Sequence, residues 1–248
     1  SEHQVQADLS QLRAPRVPLA LPFKGFYIKE TKRDFFKFGV AFLWAGFPEL
    51  ALPYLERVLE RQPENPRILV LAGQVHFLAN RLDEAERCFT SAAQFNPNST
   101  AALLGLADIA SKRDQQARAA TFYGKALALD AQSAEAANGL GLALAKQGQL
   151  EDARKYFEQA IAIRRNYAEA INNLGVLYIQ QNKTGDAIAA FTYGIKVSPD
   201  EDILYLNLGR TYVQNGQPEK AKMIMQQLLE RKPNNPTARK ALQDLEGR

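Results

Sequence analysis

The chain has 248 residues, of which 46% are hydrophobic and 23% charged, with a formal net charge of +4. That composition is ordinary for a folded globular protein; no apolar run approaches the ~18 residues a bilayer-spanning helix needs, and no block of Lys and Arg suggests nucleic acid. One cysteine, Cys88, excludes an internal disulfide, and with only His3 and His76 beside it a His/Cys zinc site has too few ligands. The sequence leaves the compartment open, with the cytoplasm slightly favoured: a lone cysteine fits a reducing environment, and no stretch combines a charged start, an apolar middle and a small-residue cleavage site. A periplasmic or secreted chain would need a signal upstream of Ser1.

Residues 1–31 stand apart from the rest of the chain. Val5, Leu9 and Leu12 can line one face of a short amphipathic helix. Pro15, Pro18 and Pro22 then favour an extended, polyproline-like path. Along it Val17, Leu19, Leu21 and Phe23 alternate, as in a segment buried on one side. The segment is expected to cap the first regular helices, or to fill a groove of its own chain or of a neighbour; exchange between neighbours gives dimers or polymers. Thr31 and Asp34 resemble a capping box that opens the first regular helix.

From residue 32 to residue 235 the chain repeats itself every 34 residues without a gap. Ala51, Ala85, Ala119, Ala153, Ala187 and Ala221 form one series. Gly39, Gly73, Ala107, Gly141, Gly175 and Gly209 form a second, twelve residues earlier in each unit. Antiparallel helices approach closely only where side chains are small, so these are read as contact points, one on each of two helices. Between them Gly46, Asn80, Asp114, Gly148, Asn182 and Gly216 are residue types that accept a left-handed backbone and end the first helix. The second helix starts two or three residues later, with Pro48 and Pro218 suited to its first turn. Pro63, Pro97, Pro199 and Pro233 stop it, where the two middle units carry Ala131 and Arg165. Phe38, Leu106, Leu140, Leu174 and Leu208 on the first helix, and Phe89, Tyr123, Phe157, Phe191 and Met225 on the second, fill the core. The units are 32–65, 66–99, 100–133, 134–167, 168–201 and 202–235. Residues 236–248 add a thirteenth helix, whose Ala238, Ala241, Leu242 and Leu245 can cover the last unit.

The fifth unit carries Ile171, Leu174, Gly175, Tyr178, Ala187, Phe191 and Pro199 at the spacing W-x2-L-G-x2-Y, A-x3-F, P, and so resembles the tetratricopeptide repeat family. The third departs from it, with Ala107, Ala110 and Ala131 at the glycine, tyrosine and proline places. The resemblance implies an all-α fold: a right-handed superhelical solenoid of six helix-turn-helix repeats with a C-terminal capping helix. It also implies a concave groove lined by positions 2, 5, 6, 9, 12 and 13 of each repeat. Those positions hold Phe36, Lys37, Val40 and Trp44 in the first repeat, and Leu71, Gln74 and Phe77, with Val70 and Leu78, in the second. They hold Asp108 in the third, Asn138 in the fourth, Asn172 and Asn173 in the fifth, and Asn207 and Arg210 in the sixth.

The two halves of this implied groove differ. The N-terminal half is apolar and aromatic. Phe35, Phe38 and Phe42 already serve the core, so Phe36 and Trp44 are surplus, and an exposed apolar patch marks an interaction site. The C-terminal half offers amides, whose paired donor and acceptor suit the backbone of an extended peptide. Of these only Asn173 and Asn207 stand at the place of the asparagine ladder found in some members of the family. The carboxylate clamp of chaperone-binding members is absent, since Phe36 and Val40 occupy two of its places.

No phosphate loop, dinucleotide-binding glycine pattern, nucleophile elbow or zinc-helix motif is present. His76 stands where the family has tyrosine and reads as a packed side chain; Cys88 reads as a small inert one. The expected function is a non-catalytic scaffold that holds a protein or peptide in its groove, without cofactor, metal, nucleic acid or membrane insertion. The alternatives are self-assembly through the N-terminal segment, or a piece of a larger protein whose activity lies in another domain.

Overall fold

The computed structural model describes residues 34–246. The chain divides into two units, Ser1–Asp34 and Phe35–Arg248. The expectations for residues 1–31 lie outside the described residues.

Among the described residues there are thirteen α-helices and no strand. Twelve form six pairs: α1 (Asp34–Trp44) with α2 (Pro48–Leu59), α3 (Pro66–Leu78) with α4 (Leu82–Phe95), α5 (Thr100–Lys112) with α6 (Gln116–Leu129), α7 (Ala134–Lys146) with α8 (Leu150–Ile163), α9 (Ala168–Gln180) with α10 (Thr184–Val197), and α11 (Asp202–Gln214) with α12 (Pro218–Arg231). The thirteenth, α13 (Pro236–Glu246), stands alone at the end.

One left-handed residue ends each first helix. Gly46, Asn80, Asp114, Gly148, Asn182 and Gly216 all have φ between +58° and +81°, a conformation that glycine reaches freely and that short Asn or Asp side chains tolerate. At Gly148 the turn is closed by two amides: Gly148 N–H donates to the Ala145 carbonyl at 2.9 Å and Gln149 N–H to that of Leu144 at 3.0 Å. Four prolines stand where a missing amide costs nothing, at the first residue of α2, α3, α12 and α13, whereas Pro53 lies inside α2. Ser99 and Ser133 cap α5 and α7, each hydroxyl accepting from the amide three residues on.

Small residues let the paired helices meet. A Cβ added to Gly73, Gly141 or Gly175 would lie 2.8, 2.8 or 2.4 Å from the ring of Phe89, Phe157 or Phe191. Those rings, with Tyr123 and Met225, are at most 7% exposed, and the alanines from Ala51 to Ala221 are fully buried. The core runs from repeat to repeat. Phe89 and Ala85 share a cluster with Leu106 and Ile109 of the next repeat; Phe191 does so with Leu204 and Leu208. Met225 and Leu228 pack with Ala238 of α13, which gives the last repeat its cover. No repeat buries its own apolar faces alone, which is why the units stack. Phe35, Phe38 and Phe42 gather around Tyr54 of α2, with ring centroids 6.2, 5.5 and 5.6 Å away.

The stacking is asymmetric. α3 touches α5, α5 touches α7, α7 touches α9 and α9 touches α11, whereas no second helix approaches the next second helix as closely. First helices therefore crowd the inner side of the solenoid. Between α4 and the next repeat, Arg113 pairs with Asp83 and Glu86, and Arg118 reaches Glu86 at 2.6 Å.

Candidate partner-binding groove

On the inner side, the sixth residue of a repeat lies over the large residue that the preceding repeat wedges between its helices. Gly105 lies over Phe89 and Gly139 over Tyr123; an added Cβ would come within 2.5 and 2.4 Å of those rings. Because neither position carries a side chain, the rings line the floor of a groove of about 610 Å³ that runs from Trp44 at one end to Glu169 at the other. In the fifth and sixth repeats the same position is asparagine. Asn173 Nδ2 reaches back to Asn138 Oδ1 at 3.0 Å, and Asn207 Nδ2 to Asn172 Oδ1 at 2.6 Å. In α13 the equivalent residue is Ala241, and a second groove of about 430 Å³ opens there beside Met225. Small sixth residues thus leave cavities, and the two asparagine rungs stand between them.

The central groove is largely apolar, and the charges that line it are negative. Leu104, Leu142, Phe77, Phe89, Tyr123 and Tyr167 supply its walls and floor. The charged side chains lining it are Asp108, Glu135 and Glu169, all carboxylates. Glu135 pairs with Arg164, whose guanidinium lies over the Tyr167 ring at 4.7 Å. Asp108 accepts the Tyr123 hydroxyl proton in a hydrogen bond, and Glu169 accepts from Asn138 Nδ2 at 3.2 Å. Burial, with Glu169 nearby, pushes the Asp108 carboxyl above the ordinary carboxylate range, against the pull of the Tyr123 hydrogen bond. Burial also pushes the Tyr167 phenol up to about 12, with Glu169 and Glu135 adding to it, so the ring faces the groove uncharged.

The residues expected to line the groove divide three ways. Trp44, Gln74, Phe77, Asp108 and Asn138 come together in the central groove. Asn207 and Arg210 line the second one. Phe36, Lys37, Val40, Leu71, Asn172 and Asn173 line neither cavity; Phe36 is 40% exposed, and Leu71 packs against the core of the first repeat. Asn138 is only 3% exposed and is engaged by Glu169 and Asn173, so its amide is a strut of the wall. Val70, grouped in sequence with the apolar wall, is buried in the core with Phe89. Three groove residues lie outside the expected positions: Phe89, Tyr123 and Tyr167. The available signal was the pair Gly105 and Gly139, whose missing side chains open the floor.

His76 and Cys88 carry no activated chemistry. The His76 Nδ1 is buried without a hydrogen-bond partner among the described residues, and burial, then Arg81, lowers its pKa, which leaves a neutral packed imidazole. Burial pushes the Cys88 thiol up, the reverse of a reactive thiolate. Among the described residues no cluster of His, Cys, Asp and Glu could hold a metal ion, and no helix is long and apolar enough to cross a membrane.

Paired helices in register, a core shared between repeats and an inner groove define a tetratricopeptide solenoid, a class of protein-interaction scaffold that is generally non-enzymatic. The chain belongs to the family described as the cilia and flagella-associated protein 70 C-terminal domain, which matches residues 8–246. Among solved structures it is similar to PilW, described as a widely conserved type IV pilus biogenesis factor, with a TM-score of 0.74 and 19% identity over 84% of this chain and 96% of that one. It is also similar to YrrB, described as a TPR protein with an unusual peptide-binding site, with a TM-score of 0.56 and 20% identity over 75% of this chain and 96% of that one. At those identities the likeness is one of fold. A 59-residue stretch is 34% identical to the protein adenylyltransferase fic-1 of Caenorhabditis elegans, which is 24% of this chain and 12% of that protein's length.

Proposed function

We propose that the domain holds an extended segment of a partner protein in the central groove between α1 and α9, and catalyses nothing itself. One observation carries this reading: an apolar groove of about 610 Å³, whose lining includes Trp44 and Leu78, which are 85% and 62% exposed. Large apolar side chains left in water along a concave face are the mark of an interaction site. The amides beside it, Asn172 and Asn173, retain hydrogen-bonding capacity for a peptide backbone after their own rung is formed. The family description makes ciliary and flagellar proteins the first place to look for the partner.

The test is affinity capture with the full chain from a ciliated-cell extract, followed by mass spectrometry. The chain is compared with the double variant Trp44→Ala, Leu78→Ala and with Met223→Ala on α12, whose side chain is 66% exposed away from the groove. A partner retained by the chain and by Met223→Ala but lost from the double variant supports the reading. Equal retention by all three contradicts it.

A further inference from the structure

We propose that the central groove selects a partner segment carrying a lysine or arginine, whose alkyl stem lies along Leu104 and Leu142 and whose cationic head sits between Asp108 and Glu169. This rests on the reading of the groove as the partner-binding face.

The argument is charge complementarity inside an apolar cavity. Every charged residue lining the groove is an acid, in a chain whose net charge is +4. Of the three, Glu135 already has Arg164. Asp108 and Glu169 form no ion pair among the described residues; their hydrogen-bond donors are the neutral Tyr123 hydroxyl and the Asn138 amide. Lys112, at the end of α5, is turned over the Phe77 ring with its Nζ 5.0 Å from the centroid. Two carboxylates thus share one groove, and Glu169 raises the cost of ionising Asp108. A cation arriving from outside removes that cost. The Tyr167 and Phe77 rings already carry the chain's own Arg164 and Lys112, so the incoming cation is recognised by the two carboxylates. An acidic segment would meet the same two charges as repulsion, so the groove discriminates as well as attracts. Lysine and arginine stems also bury well along aliphatic walls while their heads find charge. The arrangement is opposite in sign to a clamp for a C-terminal carboxylate, which needs cations on the groove wall.

The experiment pans a display library of random ten-residue peptides against the full chain. A selected peptide is then synthesised with a fluorescent label, in its own sequence and with each basic residue replaced by norleucine, which keeps the stem and drops the charge. Affinities are read by anisotropy for the chain and for Asp108→Asn with Glu169→Gln. The expected result is one enriched basic position, a roughly tenfold or greater weakening on its replacement by norleucine, at the low end of coupling between close charge pairs, and near loss of that gap in the double variant. Selected peptides that show no such gap, yet lose binding on Trp44→Ala with Leu78→Ala, overturn the charge selection and leave the groove reading standing. Selected peptides indifferent to both pairs of substitutions, or no selected peptide at all, overturn both.

Discussion

Gly139 lies so close against the ring of Tyr123 that a Cβ there would stand 2.4 Å from it. That approach keeps the groove floor open, and it makes the position intolerant. Gly139→Ala is expected to lower stability by about 1–3 kcal/mol, the usual cost of overpacking. Gly124, inside α6 with nothing within 4 Å of its would-be Cβ, is the control: Gly124→Ala should raise stability by about 0.5–1 kcal/mol, since alanine loses less chain entropy in a helix. Urea denaturation of the two variants checks both signs.

Asp108 should be retained at a cost to stability. Its folded-state pKa lies above its unfolded value, because burial and Glu169 disfavour the charge. The cost is therefore full above the folded pKa, shrinks as pH falls through it, and is gone below the unfolded carboxylate value of about 3.9. Asp108→Asn is expected to raise the unfolding midpoint at pH 7 and to change little near pH 3.5. An equal shift at both pH values contradicts the assignment.

Glu86 should behave in the opposite way. Burial pushes its carboxyl up, but hydrogen bonds from Arg113 and Arg118 outweigh this and hold it below the ordinary value. Its contribution is present above the unfolded pKa and is lost as pH falls through the folded one. Glu86→Gln should cost about 1 kcal/mol at pH 7, the upper range for partly exposed pairs, with the difference disappearing in acid.

Trp44 and Leu78 are exposed, so truncating them should leave stability within about 0.5 kcal/mol of the parent. A loss of partner capture in Trp44→Ala with Leu78→Ala then reports on binding and not on folding. Thermal unfolding of the double variant checks this directly.

The architecture was legible because each repeat states it again. Six left-handed residues from Gly46 to Gly216 and six buried alanines from Ala51 to Ala221 follow from local backbone and packing rules that act within one repeat. The groove was legible only in part, because its shape depends on residues in adjacent repeats taken together. Tyr123 reads as core from its own repeat; it becomes groove floor because the next repeat places Gly139 over it. Asn173 reads as a free ladder amide; in the fold its Nδ2 is engaged by Asn138. Val70 has the groove spacing, yet it is buried between α3 and the next repeat. Position within a repeat tells which side of a helix a residue occupies, and the neighbouring repeat decides whether that side is open.

Site-specific photo-crosslinking in cells tests the central claim most directly. A photoreactive residue at Gln74, exposed on the groove wall, is compared with one at Met223 on α12. The groove account predicts a discrete crosslinked partner from Gln74, lost on Asp108→Asn with Glu169→Gln, and none from Met223. The same partner crosslinked from Met223, with nothing captured from Gln74, would contradict it.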